Sequence, residues 1–260
     1  MRKPKAPVER EPVGWEHYSL WRRVHEALLA LPGYFRTTTT IEGMLASDIF
    51  TLNAALGATI EDQVVASLNS MRAMWDPHGE YQTYSFVRQA QTFPDVLLRK
   101  RTDGHTVLLG IELKGWYLLA KEGMPNFRFV VTPAACAPWD MLMVVPWVLS
   151  NVLSGCPVVY PPFIKLARYA AEKRNYYWQH ERTAKSDNGI VVAGGISPYP
   201  RKSDQICDKP VSDDGGNFGR IARYGIMDEY VAETMAIPLR GVPAMDWLSF
   251  FRKHARDSSD

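Results

Sequence analysis

Phe93-Pro94-Asp95-Val96-Leu97-Leu98-Arg99-Lys100, then Arg101-Thr102-Asp103-Gly104-His105, then Thr106-Val107-Leu108-Leu109-Gly110-Ile111-Glu112-Leu113-Lys114-Gly115-Trp116, carries the strongest structural pattern in this chain. Two apolar-rich runs flank an Asp-Gly step, whose residues tolerate the positive φ of a tight turn, so the pattern predicts a β-hairpin. Side chains alternate across a strand, which puts Glu112 and Lys114 on one face and Ile111 and Leu113 on the other. Asp95 opens the first strand behind Pro94, and Glu112 lies near the end of the antiparallel neighbour. The two carboxylates are therefore expected to meet across the pair.

Charges beside a packed sheet are desolvated, and left unpaired they are costly or shift their pKa. A divalent cation would hold both carboxylates ionised. Carboxylate oxygens are hard ligands suited to Mg²⁺ or Mn²⁺, and one or two are enough because Mg²⁺ keeps waters and takes phosphate oxygens. Lys114 would then point at the same phosphate. The plainer alternative is an ordinary hairpin in which Glu112 and Lys114 form a surface ion pair worth about 0–1 kcal/mol.

Pro94-Asp95 followed by Glu112-Leu113-Lys114 resembles the PD-(D/E)XK nuclease superfamily, which includes most type II restriction endonucleases. The resemblance implies a restriction-endonuclease-like core, Asp95 and Glu112 as metal ligands, and Lys114 as the lysine that positions or activates the attacking water. In many members a helix before the hairpin supplies a further acid near the metal. Glu61 is the candidate here, although an acid in a first helical turn behind Thr59 equally suits a helix N-terminus.

The chain has 260 residues, 46% hydrophobic and 22% charged, so it is expected to be globular, as one domain or one domain with an appendage. Its formal net charge of only +2 means that nucleic-acid binding must rest on a local patch. No apolar segment follows Met1-Arg2-Lys3, and the Met141–Leu149 window is interrupted by Pro146 and too short to span a bilayer. A soluble, cytoplasmic protein without membrane association is expected. Cys136, Cys156 and Cys207 are odd in number and widely spaced, which suits a reducing compartment. No histidine pair has zinc-ligand spacing on a helix, and no Gly-rich phosphate cradle occurs, which disfavours zinc enzymes, NTPases and dinucleotide enzymes.

Residues 1–12 read as a flexible arm, 13–185 as the catalytic core, and 186–260 as a loop with C-terminal helices for specificity or dimerisation. Tyr18, Trp21, Val24, Leu28 and Leu31 mark an amphipathic helix ended by Pro32-Gly33, and Ile60, Val64, Leu68 and Met71 mark a second over about 60–75. Residues 81–91 alternate as a strand, with Gln89 and Gln91 preceding the site, and Met141–Leu149 reads as a buried strand. A second core helix is sought at 116–122 or 147–154. A helix from Pro161-Pro162 to about Arg182 interleaves Lys165, Arg168, Lys173 and Arg174 with tyrosines and Trp178. These cations, with Arg220 and Arg223 on a helix over 218–235, are candidate DNA contacts. The plainer alternative is an amphipathic helix with a charged outer face.

The expected fold is α/β or α+β, a mixed central β-sheet flanked by helices. The expected function is a Mg²⁺-dependent type II restriction enzyme, a homodimer cutting double-stranded DNA at a specific site. The alternatives are a less specific repair, recombination or defence nuclease on DNA or RNA, and a non-catalytic DNA-binding protein that keeps the fold.

Overall fold

The Asp103–Gly104 turn forms as its residue types require. Gly104 takes φ +66°, and the Asp103 carboxylate accepts from the His105 and Thr106 amides and the Thr106 hydroxyl. Those hydrogen bonds, Thr106's amide first, hold the Asp103 carboxyl down at about 2. The computed structural model describes residues 3–89, 92–183 and 186–257, so Gln91 and Lys185 lie outside the described residues.

In chain order the elements are α1 (Tyr18–Leu29), α2 (Leu31–Tyr34), α3 (Leu52–Ser70), α4 (Arg72–Trp75), β1 (Tyr84–Arg88), β2 (Val96–Lys100) and β3 (Val107–Tyr117). There follow β4 (Met141–Leu149), β5 (Pro157–Val159), β6 (Phe163–Leu166), α5 (Ala167–Tyr176), β7 (Ile190–Val191), β8 (Lys209–Pro210), α6 (Asp228–Met235), β9 (Pro238–Leu239), β10 (Val242–Pro243) and α7 (Ala244–Asp257). The main sheet runs β1-β2-β3-β4-β5, with β6 also on β4. All its pairs are antiparallel except β3 with β4, which makes it a mixed sheet with flanking helices, as expected. No helix among the described residues is long and apolar enough to cross a membrane.

β4 is buried at every position, which is the mark of a strand covered on both faces. α3 packs on β1 and β3, while α5 packs on β4 and β6. The core stripe of α3 is Leu52, Leu56, Ile60, Val64 and Leu68, one residue every four positions. That spacing continues upstream of Ile60, so the helix starts earlier than the expected residue 60. Side chains then fix α3 to the edge of the sheet. The Asn69 amide donates to the Phe86 carbonyl and accepts from its N–H at 2.8 and 2.9 Å, and Arg72 donates to the Tyr84 carbonyl.

Three helical expectations are corrected. β3 and β4 are joined by an irregular crossover over 118–140 with a single 3₁₀ turn at Pro133–Ala135, so neither 116–122 nor 147–154 is a helix. The segment after Pro161-Pro162 begins as strand β6, because Met141–Val144 offers it a free edge, and becomes helical only at Ala167. Over 218–235, Gly219 at φ +87° and Gly225 at φ +79° break the chain, leaving a 3₁₀ turn at Ile221–Arg223 and α6. Residues 3–12 of the amino-terminal arm carry no regular structure, yet Glu9 accepts from the Leu166 amide and Lys165, and the Pro4 carbonyl accepts from Tyr176.

Buried Asp140 organises the start of the β3–β4 pairing. Its carboxylate accepts from the Gly110 and Ala137 amides at 2.7 Å each and from the Tyr199 hydroxyl at 3.0 Å. A Cβ on Gly110 would stand 2.3 Å from Pro94 Cγ and 3.1 Å from Asp140 Oδ1. We therefore expect Gly110→Ala to destabilise the protein by about 1–3 kcal/mol through overpacking, measured by urea unfolding. A wild-type midpoint would show that Pro94 yields freely.

Candidate active site

The register of the hairpin brings the three predicted residues together. Val96 stands opposite Ile111, so the residue before the one and the residue after the other, Asp95 and Glu112, face each other across β2 and β3. Lys114 follows two places along the same face. Its ammonium lies 2.9 Å from Asp95 Oδ2 and 2.9 Å from Glu112 Oε1. The Leu113 amide donates to the same Asp95 oxygen at 3.0 Å. Glu112 is only 7% exposed, so this is no solvated surface pair.

One ammonium cannot neutralise two carboxylates, and the group carries a net negative charge when all three are ionised. Glu112 lies deepest. Burial pushes its carboxyl from the ordinary 4.5 up to about 7, Lys114 opposes this, and the Asp95 charge adds to it. Burial alone would lower the Lys114 ammonium, but the Glu112 and Asp95 charges overcome it and hold it above the usual lysine value. The lysine is therefore charged throughout the physiological range.

Glu61 lies on α3 close enough for its charge to couple to Asp95. Burial, then Asp95, raises its carboxyl, against Lys114 and Arg88. Its carboxylate is already engaged, since Arg88 of β1 reaches Glu61 Oε2 and Asp62 Oδ1 at 3.1 Å each. Arg88 and Asp62 are neighbours of the site that the sequence pattern does not single out. The only signal for Arg88 is its place on the strand read over 81–91, one register step from the Asp95 loop. Gln89, read as a residue beside the site, is a positioning residue. Its side chain donates to the Pro94 carbonyl at 2.9 Å and its backbone to the Asp95 carbonyl at 2.6 Å.

The donor set fits a hard divalent cation. Among the described residues no group of three or more His, Cys, Asp and Glu side chains gathers as a metal cluster. Two carboxylates on one point suffice for Mg²⁺ or Mn²⁺, which complete their shells with water and phosphate oxygens.

The six expected DNA contacts do not form one patch. Arg174 is corrected outright, because it is fully buried. Its guanidinium donates to the Phe129 and Val131 carbonyls and pairs with buried Asp208. Lys165 pairs with Glu9 at 2.9 Å, Lys173 pairs with Glu181 at 2.8 Å, and Arg168 donates to the Cys136 carbonyl. Arg220 and Arg223 do come together, around the Gly216–Asn217 turn, where Arg128 joins them.

No protein-family model matches this chain, and neither a curated protein nor a solved structure matches it significantly.

Because Glu112 holds its proton more tightly folded than unfolded, its contribution to stability falls as pH rises from 4.5 through about 7. Asp140, which burial also pushes up to about 7, acts in the same sense. Metal-free protein is thus expected to lose stability across this window in urea titrations. Glu112→Gln should flatten the profile to the part owed to Asp140 and Glu61. An unchanged slope would show that Glu112 is not the group that titrates.

Proposed function

We propose that this chain is a Mg²⁺-dependent endonuclease that hydrolyses phosphodiester bonds of double-stranded DNA at a specific site, with Mn²⁺ able to substitute. The observation that carries the reading is the single ammonium shared by the buried Glu112 carboxylate and the partly buried Asp95 carboxylate, which leaves a site one positive charge short. Asp95 and Glu112 would hold the ion. When bound, a divalent metal lowers the pKa of its water and neutralises charge on the phosphoryl oxygens.

The protein's own groups supply the rest. Asp95 is fixed by the Leu113 amide, and its loop by Gln89, so the carboxylate is held in place before any ligand arrives. A lysine ammonium has three N–H groups. Two serve Asp95 and Glu112, and the third is the donor that would orient a water or stabilise a phosphate oxygen as negative charge develops. Glu61 would act through Arg88 and Asp95 as an auxiliary. A palindromic target would call for a two-fold homodimer.

The test is digestion of long linear DNA, methylated and unmethylated, with Mg²⁺ and with EDTA. Discrete fragments that need Mg²⁺ are expected. Asp95→Ala and Lys114→Ala should each lower the cleavage rate by about 100-fold or more. DNA left intact under every condition, or full activity in Asp95→Ala, would overturn the assignment; a smear would indicate a less specific nuclease.

A further inference from the structure

A second site lies where the chain leaves α5. The helix continues into a π-type turn at Tyr177–Glu181, closed by the Arg182 amide on the Tyr177 carbonyl at 2.8 Å. Such turns are rare, and they occur often at functional sites. This one opens a cavity of about 340 Å³ against the 213–224 loop, lined by Tyr177, Trp178, Arg182, Asn217, Arg223 and Tyr224. The volume is within the range of about 300–1,000 Å³ usual for small-molecule sites.

The chemistry of the lining is specific. The Tyr177 and Tyr224 rings lie 5.0 Å apart, and the Arg182 guanidinium stacks 3.6 Å from the centre of the Trp178 ring. Among the described residues neither Arg182 nor Arg223 has a carboxylate within ion-pair distance, although Asp214 also lines the cavity. Both guanidiniums instead donate to neutral oxygens, Arg182 to Asn188 and Ser186 and Arg223 to Asn217. Close by, Arg128 and Arg220 share the Gly216 carbonyl, again a neutral acceptor. Arg182 and Arg223 therefore have charge to offer an incoming anion.

We propose that this cavity binds a nucleotide, the half-buried Tyr177 ring and the outer face of the Arg182 guanidinium receiving the base and Arg223 the phosphate. Bases stack on aromatic side chains and on guanidinium planes whatever their identity, and arginine meets a phosphate with two parallel hydrogen bonds. The site is independent of the reaction assigned to Asp95, Glu112 and Lys114. A free mononucleotide and the 5′-phosphorylated end of a single strand present the same chemistry to it.

Calorimetric titration of the full chain in EDTA tests this, with the four deoxynucleoside monophosphates, the matching nucleosides, inorganic phosphate, and a short 5′-phosphorylated single-stranded oligonucleotide. The mononucleotides are expected to bind at least tenfold more tightly than nucleoside or phosphate alone. Arg223→Gln, a change at an exposed position, should weaken binding about tenfold, and Arg182→Gln at least as much. An oligonucleotide that binds more tightly than the mononucleotide identifies a strand end as the occupant, and equal affinity identifies the free nucleotide. A Kd weaker than about 1 mM for every phosphorylated ligand, or wild-type affinity in Arg223→Gln, would overturn the proposal.

Discussion

The carboxylate of Asp140, sunk at the foot of β4, is the constraint on which the sheet depends. It draws together the Gly110 amide of β3, the Ala137 amide of the crossover and the Tyr199 hydroxyl, while its backbone carbonyl accepts from Ala167 at the start of α5. A buried charge stripped of donors is costly, so each of these segments is kept in place by what its departure would expose. Gly110 is also where Pro94 closes on β3. The distance between the Asp95 loop and the strand bearing Glu112 and Lys114 is thus set by a contact one layer below the site.

Two ion pairs in this fold show how differently buried charge can be used. Arg174 and Asp208 balance one to one, and the remaining donors of the guanidinium end on the Phe129 and Val131 carbonyls and on Asn175. The Asp208 carboxylate in turn accepts from Asn175 and Ala193. The charges cancel, and the pair acts as a clamp between α5, the crossover and the long loop. At Lys114 the sum does not close. One cation serves two carboxylates, and burial, with the Asp95 charge adding to it, raises the titration of Glu112. Unbalanced groups of this kind are where ligands and chemistry concentrate.

Much of this was legible in the sequence, and the reasons differ from place to place. The hairpin and the meeting of Asp95, Glu112 and Lys114 follow from local rules: an Asp-Gly turn and the two-residue alternation of strands. The buried strand β4 follows from its apolar run. Arg174 was not legible, since its partner lies 34 residues away in an irregular loop and helix periodicity alone places a charge outside. β6 was missed because a strand of four residues is chosen by a free edge on β4, a tertiary fact that Pro161-Pro162 does not announce. Arg88 was missed for a like reason, as its partners Glu61 and Asp62 come from a helix that packs over the strand.

The way α3 and α4 grip β1 has a consequence for self-association. β1 ends the sheet, and an edge strand with open amides and carbonyls is a template for pairing with another chain. Here Asn69 takes both outward groups of Phe86, and Arg72 takes the Tyr84 carbonyl. Side chains from the neighbouring helices have taken the places a foreign strand would need. Two copies cannot join by extending the sheet through β1 without first breaking those bonds, so a two-fold assembly would have to use another surface, and this edge is guarded against strand-to-strand aggregation.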